Sequence, residues 1–140
     1  MLIKEPGLPT IKEIIEAKKA TEDRIGELLR EFKDRYDFGV ENIFFQRWDG
    51  DIFIELELVF PEETFKTVLL KEMVEIESSL ELKIEETISN FQDDYLVPVK
   101  NIKLKTYPKL SVALELKLPK YISQKKRKNN FFQKFLNAIK

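Results

Sequence analysis

The chain of 140 residues contains no cysteine and no histidine. Without thiols it can form neither disulfides nor zinc–thiolate sites. Without imidazole it lacks the commonest general base and the commonest transition-metal ligand. It has only four glycines, and they form no Gly-rich loop that would cradle a phosphate. These absences predict a protein that is not an enzyme and that carries no metal and no cofactor.

Long apolar segments are missing too. No run approaches the about 20 residues needed to cross a bilayer. The N-terminal sequence MLIKEPGLPT has neither the basic region nor the apolar stretch of a signal peptide. The sequence therefore predicts no membrane span and a cytoplasmic location, or a place within a macromolecular assembly.

The near-neutral net charge of −1 conceals a strong polarity along the chain. Residues 1–97 hold 12 Lys/Arg and 24 Asp/Glu, whereas residues 98–140 hold 12 Lys/Arg and one acid, Glu115. Such asymmetry points to a polyanionic partner or to contact between acidic and basic surfaces of different subunits. Neutralisation of one half by the other within a single fold is the alternative.

Local signals predict a helix followed by a β-hairpin. Thr10 and Glu13 form a capping-box pattern that opens a helix with apolar residues at helical spacing, and Gly39 ends it. Asp49-Gly50 lies between two alternating apolar runs, which is the strongest short-range hairpin signal. A second helix is predicted to begin within the segment PEETF at 61–65, and a second hairpin follows Pro98.

The two halves are copies of one unit. The sequence LELVFP at 56–61 returns as LELKLP at 114–119. A shift of 59 residues, or 58 after the hairpin turn, aligns matched positions throughout: Ile25 with Ile84, Phe32 with Phe91, Tyr36 with Tyr95, Asn42-Ile43 with Asn101-Ile102, and Pro61 with Pro119. The repeating unit is helix–strand–strand, used twice.

We therefore predict an α+β fold in which the tandem αββ repeat forms one four-stranded antiparallel sheet with two long helices on one face. This domain spans residues 1–120, with repeat 1 at about 10–61 and repeat 2 at about 62–119. The second strand of each hairpin is expected at the centre, and the first strands at the edges. Both helices exceed the length of the sheet, so their starts are expected to overhang it, around 11–19 and 65–73. These overhangs are expected either to form a short paired stalk or a subunit contact, or to pack against the C-terminal tail.

The outer face of the sheet carries the candidate partner-binding residues. The two-residue turn sets Phe44 opposite Glu55 and Gln46 opposite Phe53, all pointing away from the helices. Exposed aromatic side chains that lie together usually mark a contact surface. The candidates on this face are Phe44, Trp48 and Phe53 of the first hairpin, and Lys103, Lys105 and Tyr107 of the second.

Three outward glutamates, Glu55, Glu57 and Glu115, raise the possibility of paired carboxylates or a hard-metal site. Lysine and asparagine neighbours favour ordinary cross-strand pairing instead. Asn42 is predicted to face Glu57, and Asn101 to face Glu115.

The last twenty residues, 121–140, form a basic linker and a short amphipathic helix. The linker candidates are Lys125, Lys126, Arg127 and Lys128, and the apolar stripe of the helix is carried by Phe131, Phe132 and Phe135. This helix is predicted either to fold back on its own sheet or helices, or to reach a neighbouring subunit or partner. Binding to a membrane surface is a third hypothesis.

These features favour a non-enzymatic assembly module, a homo-oligomeric subunit of a larger complex that binds itself and other proteins. The order αββαββ resembles the permuted ferredoxin-like domains of pilus and type II secretion platform proteins, which implies an assembly role; small phage-particle components are a further class of this kind. The resemblance covers element order only. The alternative is a nucleic-acid-binding protein that uses the exposed sheet face and the basic C-terminal region, an interpretation that the acidic residues oppose.

Overall fold

The structure is a computed structural model and describes residues 8–117. The elements in chain order are α1 (Ile11–Tyr36), β1 (Gly39–Trp48), β2 (Asp51–Val59), α2 (Glu62–Thr67), α3 (Leu70–Tyr95), β3 (Val99–Lys105) and β4 (Ser111–Leu116). The predicted α+β class is confirmed. The predicted C-terminal helix and its linker lie outside the described residues. None of the helices within residues 8–117 combines the length and the hydropathy needed to cross a membrane.

Helix α1 begins at the predicted capping box. The Thr10 hydroxyl accepts a hydrogen bond from the Glu13 N–H at 3.1 Å, and the Glu13 carboxylate accepts one from the Thr10 N–H at 3.0 Å. The helix ends at Asp37, which adopts a left-handed conformation (φ 58°), and Leu96 closes α3 with the same backbone angles. Gly39, predicted to end the helix, instead begins β1.

The second helical segment is broken, contrary to the single helix predicted from PEETF. Helix α2 ends at Thr67, Leu69 is extended (φ −74°, ψ 141°), and α3 starts at Leu70. Leu70 is the repeat equivalent of Ile11. Both long helices therefore contain 26 residues and begin and end at matched positions.

The hairpins have the predicted turn and register. Asp49 and Gly50 both have positive φ, 54° and 88°, as a tight two-residue hairpin turn requires. Phe44 pairs with Glu55, and Gln46 pairs with Phe53. A shift in register falls at the same place in both copies, between 40 and 42 in β1 and between 99 and 101 in β3. This shared irregularity agrees with an internal duplication.

The prediction of one four-stranded sheet is wrong, because β1–β2 and β3–β4 form two separate two-stranded antiparallel sheets. The first strands, β1 and β3, lie beside each other without forming a hydrogen-bonded ladder. The second strands therefore occupy the outer positions, the reverse of the predicted order. The prediction placed β2 and β4 at the centre because they are the more apolar strands, and it assumed that such strands pair with another strand on each side.

Carboxylates of α3 take the place of a neighbouring strand along the outer edge of β2. The Glu81 carboxylate accepts a hydrogen bond from the Leu56 N–H at 2.9 Å, and Glu85 accepts one from the Ile54 N–H at 2.9 Å. An unpaired strand edge exposes backbone donors that are costly when buried and prone to aggregation when free. These two glutamates therefore close the edge of the first hairpin.

The outer edge of β4 is closed by α1 in the equivalent way. Glu22, the repeat equivalent of Glu81, accepts a hydrogen bond from the Leu114 N–H at 2.7 Å. Its carboxylate also lies 2.6 Å from the Lys18 ammonium, and both side chains are nearly buried, at 10% and 8% exposure. Each repeat thus supplies the helix that covers the strand edge of the other repeat.

A single hydrophobic cluster draws side chains from both repeats. Ile25 and its equivalent Ile84 are fully buried, and Leu56 and Leu114 lie inside as predicted. The remaining buried apolar residues come from all the long elements and from the connections that follow the two long helices: Ile14, Leu28, Leu29, Phe32, Phe38, Val40, Ile43, Ile52, Ile54, Leu80, Ile88, Phe91, Val97, Val99, Ile102, Val112 and Leu116.

The two long helices run antiparallel. Glu81 and Glu85 reach successively earlier residues of β2, so α3 is antiparallel to β2, and the short connection from α1 into β1 reverses the chain. The last residue of α1, Tyr36, lines a cleft with Ile76 of α3, so the first turns of α3 extend beyond α1. The predicted overhangs therefore point in opposite directions and do not form a paired stalk.

A side-chain clasp joins the two hairpins at one end of the β1–β3 boundary. The Arg47 guanidinium donates hydrogen bonds to the Gln92 side-chain oxygen at 2.6 Å and to the Val99 carbonyl. The same Gln92 oxygen accepts a hydrogen bond from the Val99 N–H at 2.7 Å. This clasp links β1, α3 and β3 where no strand ladder does.

We predict that Glu22→Ala lowers the free energy of unfolding by about 3 kcal/mol, because it leaves the buried Lys18 ammonium and the Leu114 N–H without their acceptor. Urea titration followed by far-UV circular dichroism measures the change. Glu16→Ala is the matched control on the same helix, since Glu16 is exposed and 3.9 Å from Lys12. Equal stabilities for the two variants would show that the Glu22 contacts contribute nothing.

A second prediction concerns pH. Burial, and then the nearby Glu81 and Glu55 carboxylates, raise the pKa of Glu77 above its ordinary value of 4.5. The folded state therefore binds this proton more tightly than the unfolded state, and stability falls as pH rises from about 4.5 through the raised pKa. Glu77→Gln should remove that part of the decline and leave a more stable protein at neutral pH.

Thermal unfolding of both proteins between pH 4 and pH 8 makes this comparison. Glu86→Gln, an exposed position on the same helix, serves as the control and should keep the wild-type profile. A wild-type profile in Glu77→Gln would contradict the prediction.

Candidate interaction surface

Three aromatic side chains lie exposed on the outer face of the first hairpin, as predicted. Phe44 and Trp48 belong to β1, and Phe53 belongs to β2. Their exposures are 46%, 75% and 49% respectively. The strand register places Phe53 diagonal to both of the others, which is within reach of large side chains. The three rings therefore form one apolar stripe.

The second hairpin presents a different outer face. Lys103 and Lys105 are exposed there beside the small residues Ser111 and Ala113. Lys103 lies 3.6 Å from the Glu115 carboxylate. Tyr107, in the connection between the strands, is 83% exposed.

The two outer faces have diverged at equivalent positions. Phe44 corresponds to Lys103, Phe53 to Ser111, and Glu55 to Ala113. Both hairpins turn their buried sides towards the helices, and β1 lies next to β3. The exposed surface therefore has an aromatic and acidic half beside a basic half. We call this surface the two-hairpin face.

Asparagine–glutamate pairs organise both halves of this face. The Asn42 amide donates to the Glu57 carboxylate at 3.1 Å, and Asn101 donates to Glu115 at 3.3 Å. This is the cross-strand pairing predicted for these residues. Within residues 8–117, no group of three or more acidic side chains is arranged to hold a metal ion.

The remaining predicted site residues belong to the C-terminal segment. Lys125, Lys126, Arg127, Lys128, Phe131, Phe132 and Phe135 lie outside the described residues. Their contribution therefore stays a prediction.

A second apolar patch lies at the start of α3, in the stretch predicted to overhang the sheet, although its residues were not among the predicted site residues. Leu69, Leu70 and Val74 are 64%, 72% and 50% exposed. We call residues 69–77 the α3 overhang. Leu70 and Val74 continue the helical stripe that is buried further along at Ile84 and Ile88. The sequence feature that indicates this patch is the apolar pattern of α3, which continues towards the helix start beyond the length that the hairpin can cover.

A cleft of about 510 Å³ opens at the end of the β1–β3 boundary opposite the Arg47 clasp. Thr106 stands there at the repeat equivalent of Arg47, and Lys33 at that of Gln92. Arg30, Asp34 and Glu41 also line the cleft, which gives it charges of both signs. Its chemistry does not single out one class of ligand.

Comparisons with protein families, with curated proteins and with solved structures find no match to this chain.

Trp48 is the only tryptophan in the chain and reports directly on the two-hairpin face. In dilute solution we predict the emission of fully hydrated indole and efficient quenching by acrylamide, because the ring is 75% exposed. Steady-state fluorescence at low micromolar concentration makes the measurement. Blue-shifted, poorly quenched emission that persists on dilution would show that another part of the same chain covers the ring.

Proposed function

We propose that this protein is a non-enzymatic assembly subunit that associates with copies of itself through the two-hairpin face. Such a subunit would belong to a larger complex, of the kind found in secretion systems, pili or phage particles. The observation that carries the proposal is the divergence of the two outer faces into an aromatic, acidic half and a basic half.

Self-complementarity follows from that division. A twofold axis through the face would set the aromatic, acidic half of one subunit on the basic half of the other, and each contact would occur twice. Glu55 would then approach Lys105, while Phe53 and Trp48 would be removed from water. Burial of aromatic rings supplies affinity, and opposite charges fix orientation and exclude other registers.

The chemical inventory favours binding over catalysis. The chain has no histidine or cysteine. Of the three candidate outward carboxylates, Glu57 and Glu115 already accept hydrogen bonds from asparagine side chains. Neither residue is positioned as a free general base, so an assembly role requires fewer assumptions than an enzymatic one.

Nucleic-acid binding is the second candidate. The exposed Lys105 and Lys117 share the basic half with the nearby Tyr107, and basic sheet faces with aromatic residues can hold phosphates and stack bases. The acidic half beside them would repel a polyanion, and this is why self-association is the first proposal.

The test of self-association is sedimentation of the wild type and of Phe53→Ser over a range of concentrations. We expect the wild type to associate with increasing concentration, with a simultaneous blue shift of Trp48 emission. Phe53→Ser should weaken association by about tenfold or more, because it removes a half-exposed aromatic ring at the centre of the stripe. Its unfolding midpoint should stay close to that of the wild type.

Leu82→Ser is the matched control, since Leu82 is 54% exposed but lies on α3, away from the two-hairpin face. It should associate like the wild type. A wild type that remains monomeric at all concentrations would contradict the proposal. If the same monomer binds single-stranded oligonucleotides with an affinity that falls steeply with salt, the second candidate is supported instead.

A further inference from the structure

We propose that the α3 overhang is a docking site for the basic C-terminal segment, residues 125–139, of a second copy of the chain. This inference rests on the proposed self-association and assigns it a second contact, separate from the two-hairpin face.

The apolar part of the site is an exposed helical stripe. Leu70 and Val74 are 72% and 50% exposed at the start of α3. Their equivalents on α1, Ile11 and Ile15, are less exposed, since both are half-buried. The neighbouring Ile14 is 8% exposed. The two overhangs are therefore not equivalent: the stripe on α3 is the one left open.

The two overhangs also differ in charge, since the one on α3 is the more acidic. Residues 69–77 contain three glutamates and one lysine, whereas the equivalent residues 10–18 contain two of each sign. Residues 118–140 contain seven Lys/Arg and no acid. A basic segment is therefore attracted to the α3 overhang and not to its counterpart on α1.

The C-terminal segment also has matching apolar spacing. Phe131 and Phe135 are four residues apart, and this is the spacing of Leu70 and Val74. Side chains four apart share one face of a helix, so a helical segment could lay its apolar face along α3. Lys128 and Lys134 would then be available to the glutamates on either side of the stripe.

Distance favours a second copy over the same chain. The Lys117 N–H donates a hydrogen bond to the Pro98 carbonyl at 2.8 Å, so the chain leaves Lys117 just beyond the end of α3, at the opposite end of that helix from the α3 overhang. A 26-residue helix is about 39 Å long. The 14 residues from Lys117 to Phe131 span about 48 Å when fully extended, but a flexible chain of that length averages about 20 Å end to end. Docking within one chain would therefore require an almost straight linker.

Such a contact is heterologous, since the C-terminal segment of one subunit would meet the overhang of the next. Repetition of a heterologous contact gives rings when the rotation closes and filaments when it does not. Together with the dimer contact proposed for the two-hairpin face, this contact would allow assemblies larger than a dimer.

Disulfide trapping tests this inference directly, because the chain has no native cysteine. The full-length double variant Val74→Cys/Phe135→Cys is oxidised under mild conditions and examined on non-reducing gels. We expect covalent dimers and higher multimers that form about tenfold faster than in Leu82→Cys/Phe135→Cys, since docking raises the effective concentration of the thiols. Added salt should slow the reaction.

Two outcomes would overturn the inference. A double variant that forms only an intramolecular disulfide places the segment on its own chain. A double variant that reacts no faster than the Leu82 control shows that the segment does not dock on the overhang. If the cysteine-free wild type still sediments as an oligomer in either case, the proposed self-association stands and only this second contact is rejected.

Discussion

The hydrogen bonds from helix carboxylates to strand edges are the constraint on which this fold depends. Glu81 and Glu85 bind the outer edge of β2, and Glu22 binds that of β4. In each case the helix belongs to one repeat and the strand to the other. Neither repeat can close its own hairpin edge in this way, so the two repeats fold as partners. The buried Lys18–Glu22 pair shows how closely α1 is held to that edge.

The duplication explains the scaffold, and the differences between the copies explain the surface. Core positions such as Ile25 and Ile84 stayed the same, because the shared core constrains them. Exposed positions were free to change, and the pairs Phe44 with Lys103 and Leu70 with Ile11 now differ in chemistry or exposure. In a duplicated fold, positions at which the two repeats differ in chemistry or exposure are candidates for function. Both proposed contacts lie at such positions.

Local patterns in the sequence were reliable where one short-range rule decides the outcome. The capping box at Thr10, the turn at Asp49-Gly50 and the exposed aromatic stripe could all be predicted. The arrangement of the strands could not be predicted, because it depends on glutamates of α1 and α3. In the sequence pattern these glutamates look like ordinary solvent-facing residues of an amphipathic helix. Glu22 and Glu81 accept the backbone hydrogen bonds that, in the predicted four-stranded sheet, a neighbouring strand would have accepted. The break before Leu70 also had no local signal, since Leu69 makes no side-chain cap.

Backbone amide exchange by NMR tests the central claim most directly. The amides of Ile54, Leu56 and Leu114 point away from their partner strands, and on this account they exchange as slowly as core amides because carboxylates hold them. Val112 provides an internal comparison, because Gly26 occupies the position that corresponds to Glu85; its amide should exchange faster than that of Ile54. Exchange of Leu56 and Leu114 as fast as at the Asp49-Gly50 turn would contradict the account.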